Sequence, residues 1–237
     1  MSEPLTCAAA QAALRDVSSP EVAIASARYF KTGPGEYGEG DVFIGVRVPV
    51  VRRIVRTFEK LSPAEVDTLL QSSVHEDRLL ALLILVRQFD RGEVTKQKSI
   101  YELYLRRTRW INNWDLVDTS APGIVGRYLI DKPRSKLAEL ATSIVLWQRR
   151  VAVVATQHFI RNNQFDDTLA LCASLLEDRE DLMHKACGWM LREVGARDRR
   201  VLERFLDKHA RRMPRTMLRY AIEHFSADER RSYMSRD

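Results

Sequence analysis

Ser62-Pro63-Ala64-Glu65-Val66-Asp67-Thr68-Leu69-Leu70 is the stretch that decides the fold class. Serine followed three residues later by glutamate is a capping box, in which each side chain satisfies a free amide near the other. Proline at the first helical position gives up no hydrogen bond. Val66, Leu69 and Leu70 then fall on one face of the helix so opened. Outward from it, Leu79, Leu80, Leu82, Leu83 and Val86, then Ile100, Leu103 and Tyr104, recur at helical intervals between short polar breaks. Further helices are expected at roughly 122–130, 134–145, 147–162, 165–176, 179–194, 198–209 and 214–224, and Ser226-Ala227-Asp228-Glu229 repeats the box near the C-terminus. No run alternates with the period of a strand, so the chain reads as all-α. Medium helices with short connections are the pattern of stacked helical hairpins, because each pair needs a neighbour to cover its apolar side. No strict repeat is visible, which leaves a degenerate helical repeat and a compact irregular bundle both open.

The chain has 237 residues, 45% hydrophobic and 30% charged, enough for a sizeable core in one or two compact units. The organisation expected is a single domain over residues 1–237. A formal net charge of +6 favours a polyanionic partner, nucleic acid foremost, although scattered lysines and arginines that merely solvate helix faces give the same sum. Cys7, Cys172 and Cys187 are odd in number and lack CxxC spacing, which argues against a disulfide framework or a zinc knuckle and fits a reducing cytoplasm. The sequence shows no leader pattern and no apolar run near the length of a membrane span, so a cytoplasmic protein is expected.

The one irregular stretch, Lys31 to Asp41, gathers Gly33, Gly35, Gly38 and Gly40 ahead of Phe43-Ile44-Gly45-Val46-Arg47-Val48-Pro49. It must be a loop. No Gly-Lys-Ser/Thr follows, and its acidic residues would repel phosphate, so it reads as a flexible surface connection into a helix starting at Pro49. Arg47, Arg52 and Arg53 are the better phosphate candidates there. His75, His158, His184, His209 and His224 are dispersed without ligand spacing, so they read as core or surface histidines and no metal site is expected. No GxSxG elbow, kinase signature or dinucleotide fingerprint is present.

Trp110-Ile111-Asn112-Asn113-Trp114-Asp115-Leu116-Val117-Asp118 stands apart. If it opens a helix, Trp114 and Asp118 lie four residues apart on one face, so that an indole and a carboxylate look into the same space. The alternative is a core tryptophan beside a capping or solvent-facing acid. Leu146-Trp147-Gln148-Arg149-Arg150-Val151 sets paired arginines beside an apolar helix, and Lys185-Ala186-Cys187-Gly188-Trp189-Met190-Leu191-Arg192 sets a tryptophan after a glycine.

Together these three segments resemble the AlkD family of DNA alkylation-repair glycosylases. Ala27-Arg28-Tyr29-Phe30-Lys31 and Phe43-Ile44-Gly45-Val46 extend the resemblance, which covers about residues 20 to 225. It implies a curved solenoid of HEAT-like helical repeats, an α-α superhelix with duplex DNA across its concave side. It also implies that Trp114 and Trp189 form an aromatic cleft, that Asp118 is the catalytic carboxylate, and that Arg150 contacts DNA. Tyr29 matches a further cleft aromatic and Arg192 a basic residue beside the second tryptophan. Arg149 adjoins the DNA-contacting arginine, and Arg47 stands at a position that can be polar and uncharged in relatives. The activity implied is hydrolysis of the N-glycosidic bond of 3-methyladenine and 7-methylguanine in duplex DNA, by a monomer with neither cofactor nor metal. A non-catalytic module that binds DNA structures and a scaffold for protein partners are the competing functions.

Overall fold

The computed structural model describes residues 5–235, and among these no strand forms; the only extended pairing there is an isolated parallel bridge between Val42 and Val74. The first helices are α1 (Cys7–Arg15), α2 (Pro20–Tyr29), α3 (Val48–Phe58), α4 (Pro63–Leu70), α5 (His75–Arg91), α6 (Val94–Arg106) and the single turn α7 (Trp114–Asp118). A π-helical turn, Pro122–Gly126, leads into α8 (Arg127–Leu129), α9 (Ser135–Ala141), α10 (Leu146–Ala155), α11 (Gln157–Arg161) and α12 (Asp166–Ser174). The chain closes with α13 (Asp181–Arg197), α14 (Arg199–His209), α15 (Arg215–Ala221) and α16 (Ala227–Met234). The chain divides into two compact units, one ending at Ile124 and the other beginning at Val125. No helix among the described residues is long and apolar enough to cross a membrane.

Each unit is organised on a helix of 17 residues. In the first unit α5 packs against α1, α3, α4, α6 and α7. Leu79, Leu80, Leu82, Ile84, Leu85 and Phe89 are sealed, and each such burial stabilises by about 1.5–3 kcal/mol. In the second unit α13 packs against α10, α11, α12, α14 and α15 through the stripe Met183, Ala186, Cys187, Met190, Leu191 and Val194. Gly188 sets the closest approach: a Cβ there would stand 2.5 Å from the Met217 carbonyl oxygen and 2.5 Å from the Tyr220 Cβ. Only hydrogen lets α13 and α15 come together at that level.

The helix boundaries follow the capping signals, with two instructive departures. Ser226 and Glu229 complete a reciprocal box at α16. At α4 only half of the expected box forms: the Ser62 hydroxyl accepts from the Glu65 amide at 3.3 Å, while the Glu65 carboxylate accepts instead from the Cys7 amide at 2.5 Å. A free amide at the start of α1 wins the carboxylate because α1 and α4 pack together.

The second departure is at the end of the glycine-rich stretch: Pro34, Gly35, Glu36, Glu39 and Gly40 are exposed, as a surface connection should be, but from Asp41 onward the chain is anchored. Val42 accepts from the His75 amide at 2.8 Å, the Asp41 side chain is only 3% exposed, and Gly45 lies with φ at +82° against the start of α2. A side chain at Gly45 would meet the Ser19 carbonyl oxygen at 2.0 Å, so glycine is required there twice over. The helix that follows starts at Val48, one residue before Pro49.

Candidate active site

In the first unit α7 is the element that matters. Asn113 caps it, its Oδ1 accepting from the Trp114 amide at 2.8 Å. Asp115, Leu116 and Val117 are buried and fix the turn, while Trp114 and Asp118, its first and last residues, remain half-exposed. The spacing of four puts these two on one face, so the sealed-core reading of Trp114 does not hold. Behind them, Ser120 on the following turn shares a hydrogen bond of 3.0 Å with the buried Tyr104 hydroxyl. Burial pushes the Tyr104 phenol well above its ordinary value, Ser120 opposes this, and the Asp118 charge adds to it.

Trp114 lies on an aromatic platform. Phe30 stacks under it at 5.2 Å between centroids, and Tyr29 meets it edge-on at 6.0 Å. Tyr29 is 66% exposed and shares an open groove with Arg47, Glu21, Val22, Ala25 and Ser26. Arg47 is exposed at the start of α3, and Arg52, Arg53 and Arg56 are exposed along the same helix, where they line a second groove with Val48 and Pro49.

Beneath the platform lies a buried polar cluster that sequence reasoning missed. His75, 1% exposed, faces Asp41 Oδ2 through Nδ1 at 3.1 Å and Asp115 Oδ2 through Nε2 at 2.8 Å. Asp41 also accepts from Arg78 Nη2 at 2.6 Å, Asn112 Nδ2 at 3.0 Å and Asn113 Nδ2 at 3.4 Å. Burial alone would lower the His75 pKa, but its bonds to Asp115 and Asp41 outweigh burial and raise it above its ordinary value of 6.5. Burial alone would raise Asp41, yet His75 and Arg78 hold it below the usual carboxylate range. Next in sequence, the Glu76 carboxylate accepts from the amides of Ile44, Gly45 and Val46 at 3.1, 2.8 and 3.2 Å. His75 is therefore a core residue bonded to two carboxylates, and four consecutive polar positions, His75 to Arg78, are all buried.

In the second unit, Trp189 on α13 is half-buried, and its Nε1 donates to Glu193 at 3.1 Å. Arg192, one turn on, is ion-paired with Glu223. Arg149 on α10 forks onto Asp178 at 2.6 and 3.3 Å and donates to the Ser143 carbonyl at 2.9 Å. Arg150, 5% exposed, donates to the Leu182 carbonyl at 2.7 Å. The paired arginines thus hold protein partners in this structure, whereas those of α3 stand in the open.

An all-α chain built on short helices packed around one long helix in each unit belongs to the class of helical-repeat proteins. The family model described as DNA alkylation repair enzyme matches residues 10–225, so the chain belongs to that family, which ties it to repair of alkylated DNA. A solved structure titled as a predicted DNA alkylation repair enzyme from Enterococcus faecalis is similar in fold, with a TM-score of 0.68 at 15% identity over 89% of this chain and 97% of that one. No curated protein matches the chain.

Proposed function

We propose that the protein is a DNA glycosylase that hydrolyses the N-glycosidic bond of cationic alkylated purines, 3-methyladenine and 7-methylguanine, in duplex DNA. The observation that carries this reading is α7, on which Asp118 and Trp114 share the half-exposed face of a turn whose other residues are buried. An alkylated purine already bears positive charge. The bond from C1′ to the base therefore breaks with its electron pair moving onto the base, which leaves as a neutral molecule without needing a strong acid. Positive charge develops on the sugar, where a fixed Asp118 carboxylate stabilises it. Water adds its oxygen to C1′, and its proton passes through the carboxylate to solvent, leaving an abasic site.

Trp114 offers its electron-rich face to the cationic lesion or the sugar, a contact worth about 0.5–2 kcal/mol. Tyr29, beside it, extends that surface. Trp189 is assigned the same cation-selective role; Arg149 and Arg192 are assigned to the phosphodiester on condition that they exchange Asp178 and Glu223 for phosphate, and the buried Arg150 on condition that it leaves the Leu182 carbonyl, each to be tested by its own substitution. Whole-chain action as one cytoplasmic, monomeric domain without cofactor or metal belongs to the same proposal. Incubation of the purified protein with methylated duplex DNA, followed by chromatography of released bases, tests reaction and substrate together. Binding of that DNA without release of either base would replace the enzyme with a non-catalytic DNA-binding module.

Arg47, Arg52 and Arg53 are assigned to phosphate contacts, which position a duplex without reading its sequence. Each contact contributes about 0.9 to the slope of log affinity against log salt. The double variant Arg52→Ala/Arg53→Ala should therefore flatten that slope by roughly 2 and weaken binding to all sequences alike. Fluorescence anisotropy across a salt series measures both, and an unchanged slope would remove α3 from the interface.

A further inference from the structure

We propose that His75 is a positioning residue for the candidate site. Donating from both ring nitrogens, it ties α7, the turn that presents Trp114 and Asp118, to the loop that follows α2. The inference rests on the excision reading only for its activity arm.

Both nitrogens of the ring look at carboxylate oxygens, Asp41 at 3.1 Å and Asp115 at 2.8 Å. An ionised carboxylate only accepts, so a neutral imidazole would set a lone pair against one of them. Two N–H groups, and hence an imidazolium, satisfy both. Asp41 is held ionised by further donors, Arg78, Asn112 and Asn113. The charges facing His75 are Asp41 from the loop, Asp115 from α7 and Arg78 from α5 itself.

The ring also touches the platform. Phe43 stacks on it at 4.4 Å and Phe30 lies at 5.1 Å, and Phe30 in turn supports Trp114 at 5.2 Å. His75 therefore reaches the site by two routes, through the Asp115 carboxylate next to Trp114 in the chain and through the ring beneath it. The raised pKa agrees in direction. By linkage, the clamp's contribution to stability is complete below the unfolded value and is lost as pH rises through the folded one. Loss of the proton leaves one N–H to serve two carboxylates, so one of the two bonds breaks and the tie between α7 and the loop opens; small displacements of reacting groups cost large factors in rate.

The test uses the full chain carrying ¹⁵N-histidine and 5-fluorotryptophan, titrated from mildly acidic to alkaline pH, with the Trp114 resonance assigned by Trp114→Phe. Both His75 nitrogens should be protonated at neutral pH, and the Trp114 signal should shift with the His75 midpoint. His75→Gln should lower kcat for base release about tenfold with KM little changed, and should erase that midpoint from the Trp114 signal. His75→Gln/Asp115→Asn, which restores an uncharged donor–acceptor pair, should recover much of the rate with a flat pH profile. A neutral His75 at neutral pH, or a Trp114 signal indifferent to its titration, overturns the proposal even if His75→Gln fails to fold. If the wild-type protein releases no base, the excision reading falls, and the two spectroscopic midpoints still decide the clamp by whether they coincide.

Discussion

Asp118→Asn should lower the single-turnover rate of base release by about 10²–10³-fold while leaving affinity for lesion-free DNA unchanged or slightly tighter. The substitution preserves the shape of the side chain and removes its charge, so it separates catalysis from packing. The expected loss is large because in the proposed mechanism the carboxylate acts on charge that exists only in the transition state, where a fixed anion needs no reorganisation. Affinity should hold because an anion near a phosphodiester repels it, and its removal cannot weaken the encounter. Single-turnover excision on methylated duplex, paired with anisotropy on unmodified DNA, gives both numbers. Equal excision rates in variant and wild type would move the chemistry away from α7 and leave Trp114 as a binding residue only.

Glu76→Ala should destabilise the first unit by about 3–5 kcal/mol, because three amides lose a charged acceptor at once and water replaces it only in part. The carboxylate, 3% exposed, is the acceptor for three consecutive amides, those of Ile44, Gly45 and Val46. Each donor left without a partner costs about 1–3 kcal/mol, reduced where water can enter. The loop cannot readily move to find other acceptors, since Gly45 is wedged against the Ser19 carbonyl and Val42 is bonded to Ser73 and to His75, the first residue of α5. Glu76→Gln, which keeps a carbonyl oxygen, should lose less. Urea denaturation of both variants measures the difference, and an alanine variant within about 1 kcal/mol of wild type would mean that the three amides are satisfied elsewhere.

The helices were legible because their apolar positions recur locally. Val66, Leu69 and Leu70 define α4 within eight residues, and the spacing of Trp114 and Asp118 puts both on one face of any helix that opens there. The buried cluster was not legible, for a physical reason. His75 finds its partners 34 and 40 residues away, at Asp41 and Asp115, and no spacing rule connects them. A run of four polar residues at the start of a helix also looks like a solvated first turn, whereas His75, Glu76, Asp77 and Arg78 are all buried. Their one sequence signal was placement directly before the run Leu79 to Leu85, which leaves α5 no polar face on which to stay wet. The same limit applied to Glu65, whose partner amide at Cys7 lies 58 positions away, and to Arg149, whose partner Asp178 lies 29 away. Patterns within a helix reveal which face is apolar. Which distant acid claims a given base is set by the packing.

Cys7, Cys172 and Cys187 are all free and all buried. Burial, with Asp77 and Glu65 nearby, pushes the Cys7 thiol up; the contact with Cys187, together with burial, pushes Cys172 up further. Methylating electrophiles attack thiolates far faster than thiols. A protein whose proposed substrates are made by such reagents would be at risk from them itself, and here its softest nucleophiles are withheld from attack.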